Sequence, residues 1–184
     1  VIAQYLSDPA VLDALDRGEL VVARTDTIYG ILAKTSNIAA IHKLYQVKQR
    51  DANKWCITLV SRTDDIPGLS GERRDDYVAL NADRPTTVVT PVDSRYLPHL
   101  VREHDTLAFR LVHETDLAQL IDKTGPLLAP SANPANLPPA RTIAEAINYF
   151  GDAVAVYVDG GEVRDVKPSR IITINHHVIE IIRD

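Results

Sequence analysis

The chain has 184 residues, of which 45 % are hydrophobic and 24 % charged, and its formal net charge is −5 at pH 7. That length fits one globular domain with its own core. The acidic balance excludes wholesale wrapping by nucleic acid and leaves room for one local cationic patch.

Cys56 is the only cysteine, which excludes an internal disulfide and the C-x-x-C metal spacings and fits a reducing cytosol. The N-terminal stretch has no cationic segment followed by an apolar run, and no window approaches roughly eighteen apolar residues. A cytoplasmic protein without a membrane span is expected.

In chain order, Asp8-Pro9 can cap a first helix with Val11, Leu12 and Leu15 on one side, ended by Gly18. Leu20–Ala23 reads as a strand buried on both faces. Ser36 is a candidate cap for a second helix, in which Ile38, Ile41, Leu44 and Tyr45 recur at helical spacing. Cys56–Val60 reads as the next strand, so the simplest arrangement is a parallel strand–helix–strand unit closed by a right-handed crossover.

The acidic stretch Asp64–Asp83 is expected to form short solvated helices. Further strands are expected at Thr86–Thr90, Leu107–Val112, Leu127–Ala129, Val154–Val158 and Arg170–Ile174, where β-branched residues concentrate. Leu117, Leu120 and Ile121 predict a helix after Thr115, and Thr142-Ile143-Ala144-Glu145 has the spacing of a capping box. The segment Ile174–Ile179 predicts a hairpin returning Arg183 to the sheet. The proline-dense stretch Pro130–Pro139, bounded by secondary structure, resembles an ordered site loop more than a linker.

Three segments could carry chemistry. In Arg24-Thr25-Asp26-Thr27-Ile28-Tyr29-Gly30 a buried strand ends in hydroxyls and a carboxylate, a suitable set for orienting a small polar ligand. A Thr/Asp turn that satisfies only its own backbone explains it equally well.

Val47-Lys48-Gln49-Arg50-Asp51-Ala52-Asn53-Lys54 places three cations in eight residues. They could neutralise phosphates in one cleft, or form a solvated surface at a helix C-terminus, where the macrodipole favours cations. Ser131-Ala132-Asn133, after an apolar strand, offers two short polar side chains for a phosphate or ribose, and is also ordinary turn composition. Asp159-Gly160-Gly161 and Pro168-Ser169-Arg170 are weaker versions of the same kind.

P-loop, dinucleotide-fingerprint and zincin motifs are absent from the sequence. Adjacent His176-His177 fit a hairpin surface better than a metal site, and Cys56, in a buried strand, reads as an inert thiol.

Taken together, TDTIYG, the K-x-R of Lys48-Gln49-Arg50 with Lys54 after it, and the S-x-N of Ser131-Ala132-Asn133 resemble the YrdC/Sua5 family of threonylcarbamoyl-AMP synthases, in its short single-domain form. The order and separation of the segments match that family over essentially residues 1–184. Arg24 stands where the family has proline and Leu32 where it has glycine; Asp51, Trp55 and Cys56 also depart from its pattern, as does Val112 after Arg110.

The resemblance implies an α/β fold, a single-domain twisted mixed sheet with flanking helices around a broad basic cavity. It implies L-threonine, bicarbonate and ATP as substrates, magnesium accompanying the triphosphate without a protein metal ligand, and pyrophosphate release. It assigns Lys48, Arg50 and Lys54 to the carboxylate and triphosphate. Ser131, Asn133, Ser169 and Arg183 fall on the nucleotide side, and Thr25, Thr27, Tyr29 and Arg110 on the threonine side. The product would serve threonylcarbamoylation of adenosine 37 in tRNA, with transfer performed by separate partner proteins and a tRNA contact possible at the basic cavity. A non-catalytic RNA-binding or regulatory relative is the alternative, since the prolines and glycines around the cavity are eroded.

Overall fold

The computed structural model describes residues 1–175 and 178–184. Alternating side-chain direction along the strands builds one ten-stranded mixed sheet with helices on both faces. Its elements are β1 (Ile2–Ala3), α1 (Pro9–Asp16), β2 (Val21–Arg24), β3 (Tyr29–Lys34), α2 (Ile38–Val47), β4 (Ile57–Val60), α3 (Glu72–Asp83), β5 (Thr86–Pro91), β6 (Thr106–Leu111), α4 (Thr115–Thr124), β7 (Leu127–Leu128), α5 (Ile143–Phe150), β8 (Val156–Val158), β9 (Arg170–Asn175) and β10 (Val178–Arg183). The strand order across the sheet is β1-β8-β2-β3-β7-β4-β6-β5-β9-β10.

In β2, Val21 and Ala23 face α1 and α4 through Leu15 and Leu117, whereas Val22 faces the cluster that holds Ile41 and Leu44 of α2 and Ala146 of α5. Leu15, Val21, Val22, Leu44 and Leu117 are all fully buried. Burial at this level contributes about 1.5–3 kcal/mol per side chain, and a sheet covered on both faces accounts for the near-continuous apolar runs of its strands.

Helix starts follow capping chemistry. The Asp8 carboxylate accepts from Ala10 N at 2.9 Å ahead of Pro9, and Thr142 Oγ1 accepts from Glu145 N at 3.2 Å, while Glu145 returns to Arg141 N at 2.7 Å. The cap of α2 is Asn37, whose Oδ1 accepts from Ala40 N at 2.9 Å, and not Ser36. Asx and Ser are close in capping strength, so the register of the first turn decides between neighbours.

The expected parallel strand–helix–strand unit takes a different form. Tyr29–Lys34 forms β3, antiparallel to β2, and β7 inserts between β3 and β4 in antiparallel pairings with each. Consequently β2 and β4 are two strands apart and run in opposite directions, and the crossover through α2 joins β3 to β4. The acidic stretch holds α3 and a single 3₁₀ turn at Thr63–Asp65. The C-terminal hairpin forms, with Ile179 opposite Ile174 and a bulge between Ile181 and Arg183; His176 and His177 lie outside the described residues. Among those residues no helix is long and apolar enough to cross a membrane.

Candidate active site

The short loops at one end of the sheet surround a cleft of ≈ 700 Å³, with Arg110 from within β6 and Arg183 from β10 on its wall. Nine of the eleven singled-out residues line it: Thr25, Thr27, Tyr29, Arg50, Lys54, Arg110, Ser131, Ser169 and Arg183. Lys48 and Asn133 do not. With Arg102, which also lines the cleft, the wall carries five cations against two carboxylates, Asp51 and Glu103, an inversion of the chain's net negative charge that suits an anionic ligand.

The end of α2 sets the positions of the cations. Gln49 adopts φ 50°, Gln49 N donates to Gln46 O at 2.9 Å and Arg50 N to Tyr45 O at 3.0 Å, which together form a Schellman closure without glycine. This reversal separates Lys48 from Arg50. Arg50 stays beside the cleft and gathers its own loop, Nη2 donating to Trp55 O at 2.7 Å and Nε to Lys54 O at 3.3 Å. Lys48 turns inward at 3 % exposure. Its ammonium donates to the carbonyl of Ser131 and, at 2.6 Å, to that of Asn133. Burial first, then repulsion from Arg50, pushes Lys48 down to about 8, against a smaller opposing contribution from Cys56.

The TDTIYG segment is a hydroxyl-braced turn between β2 and β3. Thr25 Oγ1 donates to Ile28 O at 2.9 Å, accepts from Thr27 N at 3.2 Å and lies 3.1 Å from Thr27 Oγ1. Arg110 Nη2 donates to Asp26 at 2.8 Å and to Thr25 Oγ1 at 3.3 Å. The Arg110 and Asp26 side chains are only 4 % and 13 % exposed. Arg110 Nε is buried without a partner beside the cleft. On the opposite side, Asp26 shares a second hollow with Arg24, Glu114, Asp116 and Asp159, where burial, then Asp26 and Asp116, pushes the Glu114 carboxyl up.

Tyr29 is fully buried. Its hydroxyl donates to Gly161 O at 2.8 Å and accepts from Gly160 N at 2.9 Å, and it thereby fixes the Asp159-Gly160-Gly161 turn. Arg24, in the family's proline position, donates to Gly160 O at 3.1 Å and packs so closely that a Cβ on Gly160 would lie 2.6 Å from its own. Gly30 pairs with Ser131, and a Cβ there would meet Thr25 Cγ2 at 3.3 Å and Pro130 O at 3.4 Å. That glycine lets the two polar loops touch.

On the other wall, Ser131 Oγ donates to Asn133 Oδ1 at 2.5 Å, and Asn133 Nδ2 folds onto Pro134 O and Leu137 O. Ser169 is buried against Thr87, with 2.8 Å between their hydroxyls, and its carbonyl accepts from Arg183 Nη2 at 2.7 Å. Burial, then the nearby charges of Arg110 and Arg84, pushes Arg183 down.

Asp26, Trp55, Arg102 and Glu103, which have no role in the motif assignment, also belong to the surroundings of the cleft, the last three lining it. Trp55 Nε1 donates to Glu103 Oε2 at 3.0 Å across the cleft, so both line it. Only Asp26 had a signal, its place in the TDT motif. Cys56 is buried beside the cleft, and burial pushes its thiol up, in keeping with an inert thiol.

Fold and cleft together define a class: a mixed α/β domain whose sheet loops enclose a cationic, hydroxyl-lined hollow. The chain belongs to the Sua5/YciO/YrdC family, whose model, described as "Telomere recombination", matches residues 13–184. The threonylcarbamoyl-AMP synthase of Chromohalobacter salexigens is 33 % identical over 162 residues, 86 % of this chain and 87 % of that protein. The threonylcarbamoyl-AMP synthase of Marinobacter nauticus is 31 % identical over 163 residues, 85 % of each chain. The fold matches P. abyssi Sua5 complexed with L-threonine at TM-score 0.84 and 22 % identity, covering 100 % of this chain and 57 % of that one. This chain thus spans little more than half of that solved protein.

Proposed function

We propose that this chain is an L-threonylcarbamoyladenylate synthase, a nucleotidyltransferase that makes threonylcarbamoyl-AMP and pyrophosphate from L-threonine, bicarbonate and ATP. One observation carries the reading: Arg50, Lys54, Arg110 and Arg183, distant in sequence, line a single cleft with Thr25, Ser131 and Ser169. The synthase relatives, matched over most of their length, support it.

The threonine amine attacks bicarbonate, forming an N–C bond with net loss of water, and the resulting N-carboxylate attacks the α-phosphorus of ATP. A P–O bond forms to the carboxylate as the bond to the pyrophosphate oxygen breaks. Two anions must meet, and fixed cations lower the energy of the developing phosphorane more than reorganising water does.

In this reading Arg50 and Lys54 face the carboxylate and triphosphate, Arg110 with Thr25, Thr27 and Tyr29 forms the threonine side, and Ser131, Ser169 and Arg183 form the nucleotide side, with Asn133 outside the cleft bracing the Ser131 hydroxyl. Among the described residues no group of three or more His, Cys, Asp or Glu side chains could hold a metal. Magnesium would enter as part of the MgATP substrate, held mostly by phosphate oxygens and water. The product goes to separate transferase proteins that modify adenosine 37 of tRNA in the cytoplasm.

The test is pyrophosphate release with each substrate omitted in turn. Release that requires ATP, threonine and bicarbonate together is expected. Release indifferent to threonine or bicarbonate would overturn the reading, and no release alongside tight binding of structured RNA would favour a non-catalytic RNA-binding relative.

A further inference from the structure

We propose that Lys48 is a positioning residue for the nucleotide wall, acting through the Ser131–Asn133 loop and not by touching the reacting anions. The proposal rests on the synthase reading and concerns how one wall of that site acquires its shape.

Lys48 meets the loop twice. Its ammonium donates to the carbonyls of Ser131 and Asn133, and its own carbonyl accepts from Ala135 N at 2.7 Å. Residues 131, 133 and 135 are therefore held from a single point at the end of α2. Between these contacts the loop makes a tight three-residue turn, Asn133 N donating to Ser131 O at 3.0 Å. Ala132 N donates to Tyr29 O at 2.8 Å, and Ala140 N to Ala132 O at 2.9 Å. Ser131 lines the cleft, its hydroxyl proton given to Asn133 Oδ1 and its oxygen left to accept.

A lysine suits this task. Its ammonium carries three tetrahedral donors and no acceptor, so it can join two convergent carbonyls, of which that of Ser131 also accepts from Asn133 N. The same engagement removes it from phosphate recognition, because two of its three donors are committed and the residue is 3 % exposed. Arg50, two residues on, takes the opposite part: the left-handed Gln49 between them sends one cation under the loop and leaves the other at the cleft. Removing Lys48 would leave the Asn133 carbonyl without its donor and the Ser131 carbonyl with Asn133 N alone, and the loop would relax at the positions that set Ser131.

The experiment compares wild type with Lys48→Met, which keeps the length and loses the donors. In the ligand-free proteins, hydrogen exchange at the amides of Ala132, Ala135 and Ala140 should speed up at least ~10-fold in the variant. The KM for ATP should rise at least ~10-fold, with the KM for threonine and the kcat at saturating ATP within ~3-fold of wild type. Unchanged exchange, or a kcat loss of ~100-fold at saturating ATP, overturns the proposal.

If the variant does not fold, lysine-selective acylation of the wild-type protein decides. Lys48 protected equally with and without MgATP supports the positioning role, whereas a Lys48 that is reactive in the free protein and protected only by MgATP overturns it. Exchange and acylation need no turnover, so a protein without synthase activity would fail the functional reading while these readouts still report on the loop.

Discussion

The most informative perturbation of the fold–site coupling is Asp26→Ala. The Arg110 guanidinium lies 2.8 Å from the Asp26 carboxylate, with the two side chains 4 % and 13 % exposed. Its remaining hydrogen bond is a long one of 3.3 Å to Thr25 Oγ1, and its Nε has no partner. Deleting the carboxylate therefore leaves a buried cation nearly uncompensated, a change that costs about 3–5 kcal/mol in closed interiors. Cleft water beside Arg110 offsets part of this, so about 3 kcal/mol is expected. For a chain of this size that corresponds to a Tm lower by about 6–12 °C. Urea unfolding at 25 °C measures the free energy, and a thermal scan with and without L-threonine measures the coupling to ligand. L-threonine should restore more of the Tm in the variant than it adds to wild type, because its carboxylate would replace the missing counter-charge at Arg110. A loss below about 1 kcal/mol, the range of an exposed pair, would refute the claim that Asp26 neutralises Arg110 inside the fold.

Arg50→Ala should leave a folded protein whose turnover is at least ~100-fold lower, as for loss of a charged transition-state contact; near-normal pyrophosphate release would remove Arg50 from the site. Gln49→Gly should stabilise the protein by about 0.5–1 kcal/mol, since Gln49 sits at φ 50° where glycine is unstrained, and an unchanged urea midpoint would contradict this. Tyr29→Phe removes two hydrogen bonds to the exposed Gly160–Gly161 turn and should cost about 1–2 kcal/mol; a loss below about 0.5 kcal/mol would show that the turn is held by other contacts. Lys48, pushed down to about 8 chiefly by burial and next by Arg50, with Cys56 opposing, binds its proton less tightly in the folded than in the unfolded chain. Between pH 8 and about 10 the unfolded state holds more protons there, so the Lys48 contribution to stability rises with pH, by up to about 3 kcal/mol. Urea melts of wild type across that range should gain on those of Lys48→Met, and parallel pH profiles would contradict the burial argument.

What could be read from the sequence was mostly local. The helix at Ile143–Phe150 was legible because Thr142 and Glu145 are a capping pair, and the helix at Pro9–Asp16 because Asp8-Pro9 begins it. The strand Tyr29–Lys34 was not read, since Gly30 interrupts a strand pattern and TDTIYG already looked like a loop. Missing it gave the wrong partner and direction for Val21–Arg24 relative to Ile57–Val60.

The same limit applies to the site. The three loops that meet at the cleft announce themselves by composition, but which cation faces it depends on one left-handed residue, Gln49, whose side chain gives no hint of positive φ. Spacing alone placed Lys48 beside Arg50, and the Schellman turn sends it elsewhere. The pairing of Asp26 with Arg110, 84 residues apart, and that of Trp55 with Glu103 are tertiary facts without local sequence marks.

The account turns on substrates meeting among these cations, and a crystal structure with L-threonine and a non-hydrolysable ATP analogue tests it most directly. The triphosphate should lie between Arg50, Lys54 and Arg183, with the threonine carboxylate at Arg110 and the Lys48 ammonium still on the Ser131 and Asn133 carbonyls. A nucleotide bound outside this cleft, with Arg50 and Arg183 free of phosphate, would contradict it.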